Sequence, residues 1–128
     1  MPLIVANREE IQQVVLNLLL NAEHALRGHG RGSSIRITTG ETADSAYLEV
    51  ADNGPGVPDA TVSRIFEPFF TTKGVGQGTG LGLSVSLGIA QAHSGSLELR
   101  PAAQGACFRL TLPAATDMGV NLALPTSA

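Results

Sequence analysis

Residues 14–26 read VVLNLLLNAEHAL, an apolar run interrupted by two asparagines four positions apart. Ile11, Val14, Val15, Leu18, Ala22 and Ala25 recur at helical spacing. Asn7 stands just before the run and Glu10 follows three residues later, a capping-box pattern. A helix from about Arg8 to Leu26, stopped at Gly28, is therefore expected. At about 100° per residue, Gln13, Asn17, Asn21 and His24 fall in one narrow stripe. Leu16 and Leu20 flank that stripe on one side, and the main apolar face lies on the other. A buried amide is costly unless its hydrogen bonds are met. From this helix alone two readings stand. The amides cap a neighbouring loop, or they face a metal–phosphate ligand, because a neutral amide oxygen suits Mg²⁺.

The remaining elements follow by periodicity. Ile35 and Ile37, then Leu48 and Val50, alternate with polar residues and predict two antiparallel strands joined by the turn at Gly40–Ser45. DATVSRIF, from Asp59, predicts a short helix. FFTTKGVGQGTG, from Phe69, is too rich in glycine for regular structure. LGLSVSLGIAQAH predicts a second long helix, ended by Gly95 at the position that favours glycine. Leu97 and Leu99, then Phe108, Leu110 and Leu112, predict a second hairpin. Periodicity is lost after Pro113, so residues 1–113 read as one domain and 114–128 as a tail or linker. The order implies an α+β sandwich with helices on one sheet face and the other face mostly in solvent.

The totals exclude several classes. The chain has 128 residues, 43% of them hydrophobic, enough for one cored domain and too many for a disordered chain. A net charge of −3 with only 8 basic residues argues against nucleic-acid binding. The single cysteine, Cys107, cannot form an internal disulfide and reads as a small apolar strand residue. No stretch is long and apolar enough to span a membrane, so a cytoplasmic domain without direct membrane contact is expected.

Two glycine segments carry candidate chemistry. ADNGPGVP places Asp52 at a strand end, before Gly54 and Gly56. Glycines there admit close approach to a flat ligand, and the carboxylate can accept from an exocyclic amine; the alternative is an Asp in a tight turn. GQGTGLGLS spaces Gly78, Gly80 and Gly82 by two before a helix, whose N-terminal amides and dipole favour phosphate. It lacks the Gly-Lys-Ser/Thr ending of a P-loop and the βαβ setting of a dinucleotide fingerprint.

NLLLNAEHAL, DNGPGVP, FEPFFTTK and GTGLGLS, in this order, resemble the N, G1, F and G2 boxes of sensor histidine kinases. The resemblance covers about residues 3 to 113. It implies the Bergerat ATP-binding sandwich, a two-layer α/β fold with a mixed, mostly antiparallel sheet covered on one face by about three helices. It implies ATP and Mg²⁺ as cofactors. Asn21 would coordinate the metal, with Asn17 in support. Asp52 would take the adenine amine, with Gly54 and Gly56 shaping the pocket. Phe66, Phe69 and Phe70 would anchor the base of an ATP lid opened by Thr71, Thr72 and Lys73. Gly78, Thr79, Gly80, Leu81 and Gly82 would form its phosphate end. The lid, Thr71 to Thr79, would be poorly ordered without nucleotide. His24 stands where many relatives place a phosphate-contacting Lys or Arg, although a neutral His carries no charge at pH 7.

Hydrolytic members of the superfamily place a Glu base four residues before the metal-binding Asn. This chain has Asn17 there, and an amide cannot serve as general base. Phosphoryl transfer is favoured, with Asn17, Asn21 and Lys73 as the catalytic set. The acceptor would be a histidine on a separate dimerisation domain, with a response regulator downstream. No such domain is present in the chain, and none of His24, His29 and His93 sits in an acceptor-like segment. A largely monomeric catalytic fragment is expected. The competing readings are a non-catalytic nucleotide-binding signalling module and an anti-sigma-factor-type serine kinase.

Overall fold

The computed structural model describes residues 6–27, 32–70 and 82–114. Helix α1 (Arg8–Leu26) has the expected bounds, and Asn7 Oδ1 accepts from the Glu10 N–H at 3.0 Å. The other half of the capping box differs. The Asn7 N–H donates to His93 Nε2 at 3.0 Å, not to the Glu10 carboxylate. His93 Nδ1 lies 2.8 Å from the Ile89 carbonyl. A carbonyl only accepts, so Nδ1 carries the proton and Nε2 is left as an acceptor. The start of α1 is thereby tied to the end of α2 (Gly82–Ala92).

Strands β1 (Ile35–Glu41), β2 (Ser45–Asp52), β3 (Ser96–Arg100) and β4 (Cys107–Pro113) form one sheet in the order β1-β2-β4-β3. The mixed sheet expected from the resemblance is, among the described residues, antiparallel throughout. The register places Leu48 opposite Leu110 and Val50 opposite Phe108, and Leu97 and Leu99 of β3 continue the same rows. Val14, Leu18 and Ala22 of α1 and Ala90 of α2 bury against that face. The other face carries Arg109, which pairs with Glu49 at 2.6 Å and lies 4.1 Å over the Tyr47 ring.

The third helical segment is a 3₁₀ turn of three residues, Val62–Arg64. Thr61 explains its brevity. Its N–H and its hydroxyl both donate to the Pro58 carbonyl, at 2.9 and 3.0 Å, and this local turn competes with helix growth. The end of α2 also departs from expectation. Ser94, with φ 60°, takes the left-handed position, not Gly95. The Ser94 N–H bonds the Gln91 carbonyl and the Gly95 N–H bonds the Ala90 carbonyl at 2.8 Å, a Schellman ending. Gly95 is required for space instead: a Cβ there would strike the Thr111 carbonyl of β4. The expected tail beyond Ala114 lies outside the described residues.

Cys107 begins β4 opposite Ala51, on the sheet face away from the helices, and is buried. Burial, then the Glu49 charge, raises its thiol pKa above the ordinary 9.0. In the unfolded chain the thiol ionises first, so its contribution is intact below that value and is lost as pH climbs through the folded one. We expect the parent to lose more stability above pH 9 than Cys107→Ala does, read from urea unfolding across that range. Leu18 is 1% exposed at the centre of the core. Leu18→Ala should cost about 3 kcal/mol in the same assay, and a cost below about 1 kcal/mol would remove Leu18 from the core.

Candidate functional site

Helix α1 has two jobs along its length. Its buried face is core, and its polar stripe meets the start of α2. Asn17 is half-buried, and its amide is fully engaged within the protein. Oδ1 accepts from Gln13 Nε2 at 2.8 Å. Nδ2 donates to the Gly82 carbonyl at 3.3 Å and to Ser86 Oγ at 3.1 Å. Of the two readings open for the stripe, capping a neighbouring segment is what Asn17 does in this structure. The segment it caps begins at Gly82, itself a predicted site residue.

Asn21 lies one turn along the same stripe and is half-buried. His24 follows, its side chain 22% exposed, with Nε2 3.9 Å from Glu23 Oε1. Among the described residues no three His, Cys, Asp or Glu side chains gather as a metal nest. A cation at the stripe would depend on amide oxygens, water and the oxygens of a ligand, a donor set that fits Mg²⁺.

The second half of the site is the turn after β2. Asp52 is 5% exposed, and its Oδ1 accepts from the Gly54 N–H at 2.9 Å and the Ala106 N–H at 3.4 Å. Both donors fix the carboxylate through one oxygen, Oδ1. Gly54 is where this turn meets α1: a Cβ there would lie 3.0 Å from the Ala25 carbonyl and 3.1 Å from Asp52 Oδ1. Gly56, at φ 80°, sits against the Gly105 carbonyl. The carboxylate end and the Asn17 end are thus mounted on one helix. Eight residues separate Asn17 from Ala25, about 12 Å of helical rise.

The aromatic segment is divided. Phe66 packs edge-on against Phe108, with centroids 6.2 Å apart. Phe70 is half-buried beneath the Arg64 guanidinium, 4.6 Å from its ring centroid. Phe69 does not join them. It takes φ 67° and is 71% exposed. Thr71, Thr72, Lys73, Gly78, Thr79, Gly80 and Leu81, and with them the expected disorder of the lid, lie outside the described residues.

Sequence reading missed two contributors. Ser86 is fully buried and receives the Asn17 amide. Its signal was a hydroxyl at helical spacing from Ala90, on the apolar face of α2. Asn53 was overlooked beside Asp52; its four backbone and side-chain hydrogen bonds join three separate segments.

Residues 6–116 match the family described as histidine kinase-, DNA gyrase B-, and HSP90-like ATPase. The sensor protein FixL of Bradyrhizobium diazoefficiens is 40% identical over 116 residues, which are 90% of this chain and 23% of FixL. The chain thus spans about a quarter of that relative. The solved catalytic domain of histidine kinase ThkA superposes with a TM-score of 0.73 at 35% identity, over 85% of this chain and 70% of that one. Full-length ShkA in complex with AMPPNP superposes with a TM-score of 0.73 at 30% identity, over 93% of this chain and 24% of that one.

The bonds of Asn17 are testable without any ligand. Asn17→Ala removes both ties to α2 and should lower stability by about 1–2 kcal/mol, measured by urea unfolding. In a double-mutant cycle with Ser86→Ala the two losses should be less than additive. Full additivity would mean that the Asn17–Ser86 bond contributes nothing.

Proposed function

The chain belongs to the histidine kinase-, DNA gyrase B-, and HSP90-like ATPase family and is a histidine-kinase-type catalytic domain, and we propose that it binds ATP with Mg²⁺ and transfers the γ-phosphate to a histidine on a separate dimerisation domain. The observation that carries this reading is the mounting of both halves of the site on α1. The Asp52–Gly54 turn lies against Ala25, and Asn17 lies against Gly82. A nucleotide laid along the helix would meet a carboxylate at its base and amides and a helix start at its phosphates.

The roles follow from chemistry. Asp52 Oδ2 would accept from the adenine 6-amino group. Gly54 and Gly56 would let the base lie against backbone. Asn21 would hold Mg²⁺, which supplies charge neutralisation at the phosphates. The first turn of α2, an 11-residue helix from Gly82, would offer N–H groups to them. Asn17 would orient that turn through the Gly82 carbonyl. His24 would contact phosphate. Phe70 would set the root of the lid, with Thr71, Thr72, Lys73, Gly78, Thr79, Gly80 and Leu81 completing it by resemblance alone.

Transfer is favoured over hydrolysis because Asn17 occupies the position of the hydrolytic base and its amide has no basic lone pair to offer water. His93 is a poor phosphoacceptor, since both ring nitrogens are engaged and its side chain is 10% exposed. The acceptor would therefore come from elsewhere in a sensor kinase, with a response regulator receiving the phosphate next. Among the described residues no helix is long and apolar enough to cross a membrane. We propose a cytoplasmic placement for the domain, with residues 1–113 as the nucleotide-binding unit and 114–128 as a linker.

Calorimetric titration with ADP and a non-hydrolysable ATP analogue, with and without Mg²⁺, tests this reading. We expect Mg²⁺-dependent binding that weakens at least about tenfold in Asp52→Asn, the loss of one charged hydrogen bond. A folded parent chain that binds neither nucleotide would overturn it.

A further inference from the structure

Asn53 occupies a junction that neither Asp52 nor the glycines explain. Its side-chain Oδ1 accepts from the Ser34 N–H at 2.9 Å and its Nδ2 donates to the Gly32 carbonyl at 2.6 Å. Its backbone N–H reaches the Ser34 carbonyl at 3.3 Å, and its own carbonyl accepts from Gln104 Nε2 at 3.0 Å. One residue therefore joins the segment entering β1, the end of β2 and the β3–β4 turn. Asp52 depends on all three. Its carboxylate is aimed by the N–H groups of Gly54 and Ala106, and its backbone N–H is held by the Ala106 carbonyl at 2.9 Å. The β3–β4 turn closes so tightly on Asp52 that a Cβ at Gly105 would strike the Asp52 carbonyl.

We infer that Asn53 is a positioning residue for purine selectivity: its side-chain clamp on Gly32 and Ser34 fixes the direction in which Asp52 presents Oδ2, and so sets the preference for a 6-amino over a 6-oxo purine. This rests on the adenine role proposed for Asp52. Asn53 lies between Asp52 and Gly54, so removing the clamp loosens the turn that carries the Gly54 N–H and with it the aim of the carboxylate. A loosened acceptor loses its advantage with a base that donates from position 6. It loses nothing with a base that carries a carbonyl there.

The test is calorimetric affinity for ADP and for inosine diphosphate, in the parent, Asn53→Ala and Asp52→Asn. Asn53→Ala should weaken ADP about tenfold, with inosine diphosphate changed less than twofold, so that the preference collapses. A purely structural role would lower both affinities together or neither. Asn53→Ser, a turn-compatible residue too short to reach Gly32, serves if Asn53→Ala does not fold. If Asp52→Asn abolishes the preference while a folded Asn53 variant keeps it, the inference about Asn53 is overturned and the Asp52 reading stands. If the parent shows no preference and Asp52→Asn changes nothing, both fall.

Discussion

Helix α1 must bury Val14, Leu18 and Ala22 while keeping the amides of Gln13 and Asn17 supplied with hydrogen bonds, and the rest of the structure is arranged around that double requirement. The sheet meets the first half, with Val50, Phe108 and Leu110 on its inner face. The second half needs another helix, placed so that a carbonyl and a hydroxyl meet the amide. That is the position α2 takes, with the Gly82 carbonyl and Ser86 Oγ both against Asn17. Burying Ser86 would be unfavourable alone. Paired with Asn17, it turns two unfavourable burials into a specific docking of the helices.

The same docking is fixed at its other end by His93. Its Nε2 takes the Asn7 N–H, a donor left over at the start of α1. Helix α2 is thus tied to α1 near both of its own ends by polar contacts, and Ala90 and Leu18 belong to the same apolar core. The hairpins complete the site from below, since Gly54 and Gly105 bring the β2 and β3–β4 turns against α1 and against each other.

Features that depend on local chain chemistry could be read in advance. The bounds of α1 follow from Asn7, Glu10 and the 3.6-residue repeat, and the strands from their alternation. The turn after β2 follows from the glycines of DNGPGVP, where Gly56 takes φ 80°. Features set by distant partners could not. The Asn7–His93 and Asn17–Ser86 bonds join residues 86 and 69 positions apart. The order β1-β2-β4-β3 is a non-local choice that alternation leaves open. Local competition misled in two places. Thr61 folding back on Pro58 cut the third helix to one turn, and Ser94 took the left-handed position that composition had assigned to Gly95. The resemblance grouped Phe69 with Phe66 and Phe70, yet Phe69 takes φ 67° and is exposed.

The charge balance bears on how such a site would work. A chain with net charge −3 and 8 basic residues has few cations to set against a polyphosphate. The described part of the proposed site contains one carboxylate, at the base end, and amides with His24 at the phosphate end. Neutral donors cost less to desolvate than lysines or arginines, and helix amides need no counter-charge. Binding would then depend on geometry more than on net attraction, which makes the mountings of Asp52 and Asn17 decisive. It also bears on the reaction. Hydrolysis needs a group that activates or orients water, and Asn17, at the position proposed for it, donates both of its amide hydrogens to α2. An amide so engaged can hold the start of α2, but it cannot take a proton. The arrangement therefore suits a domain that holds a nucleotide for an acceptor supplied from outside.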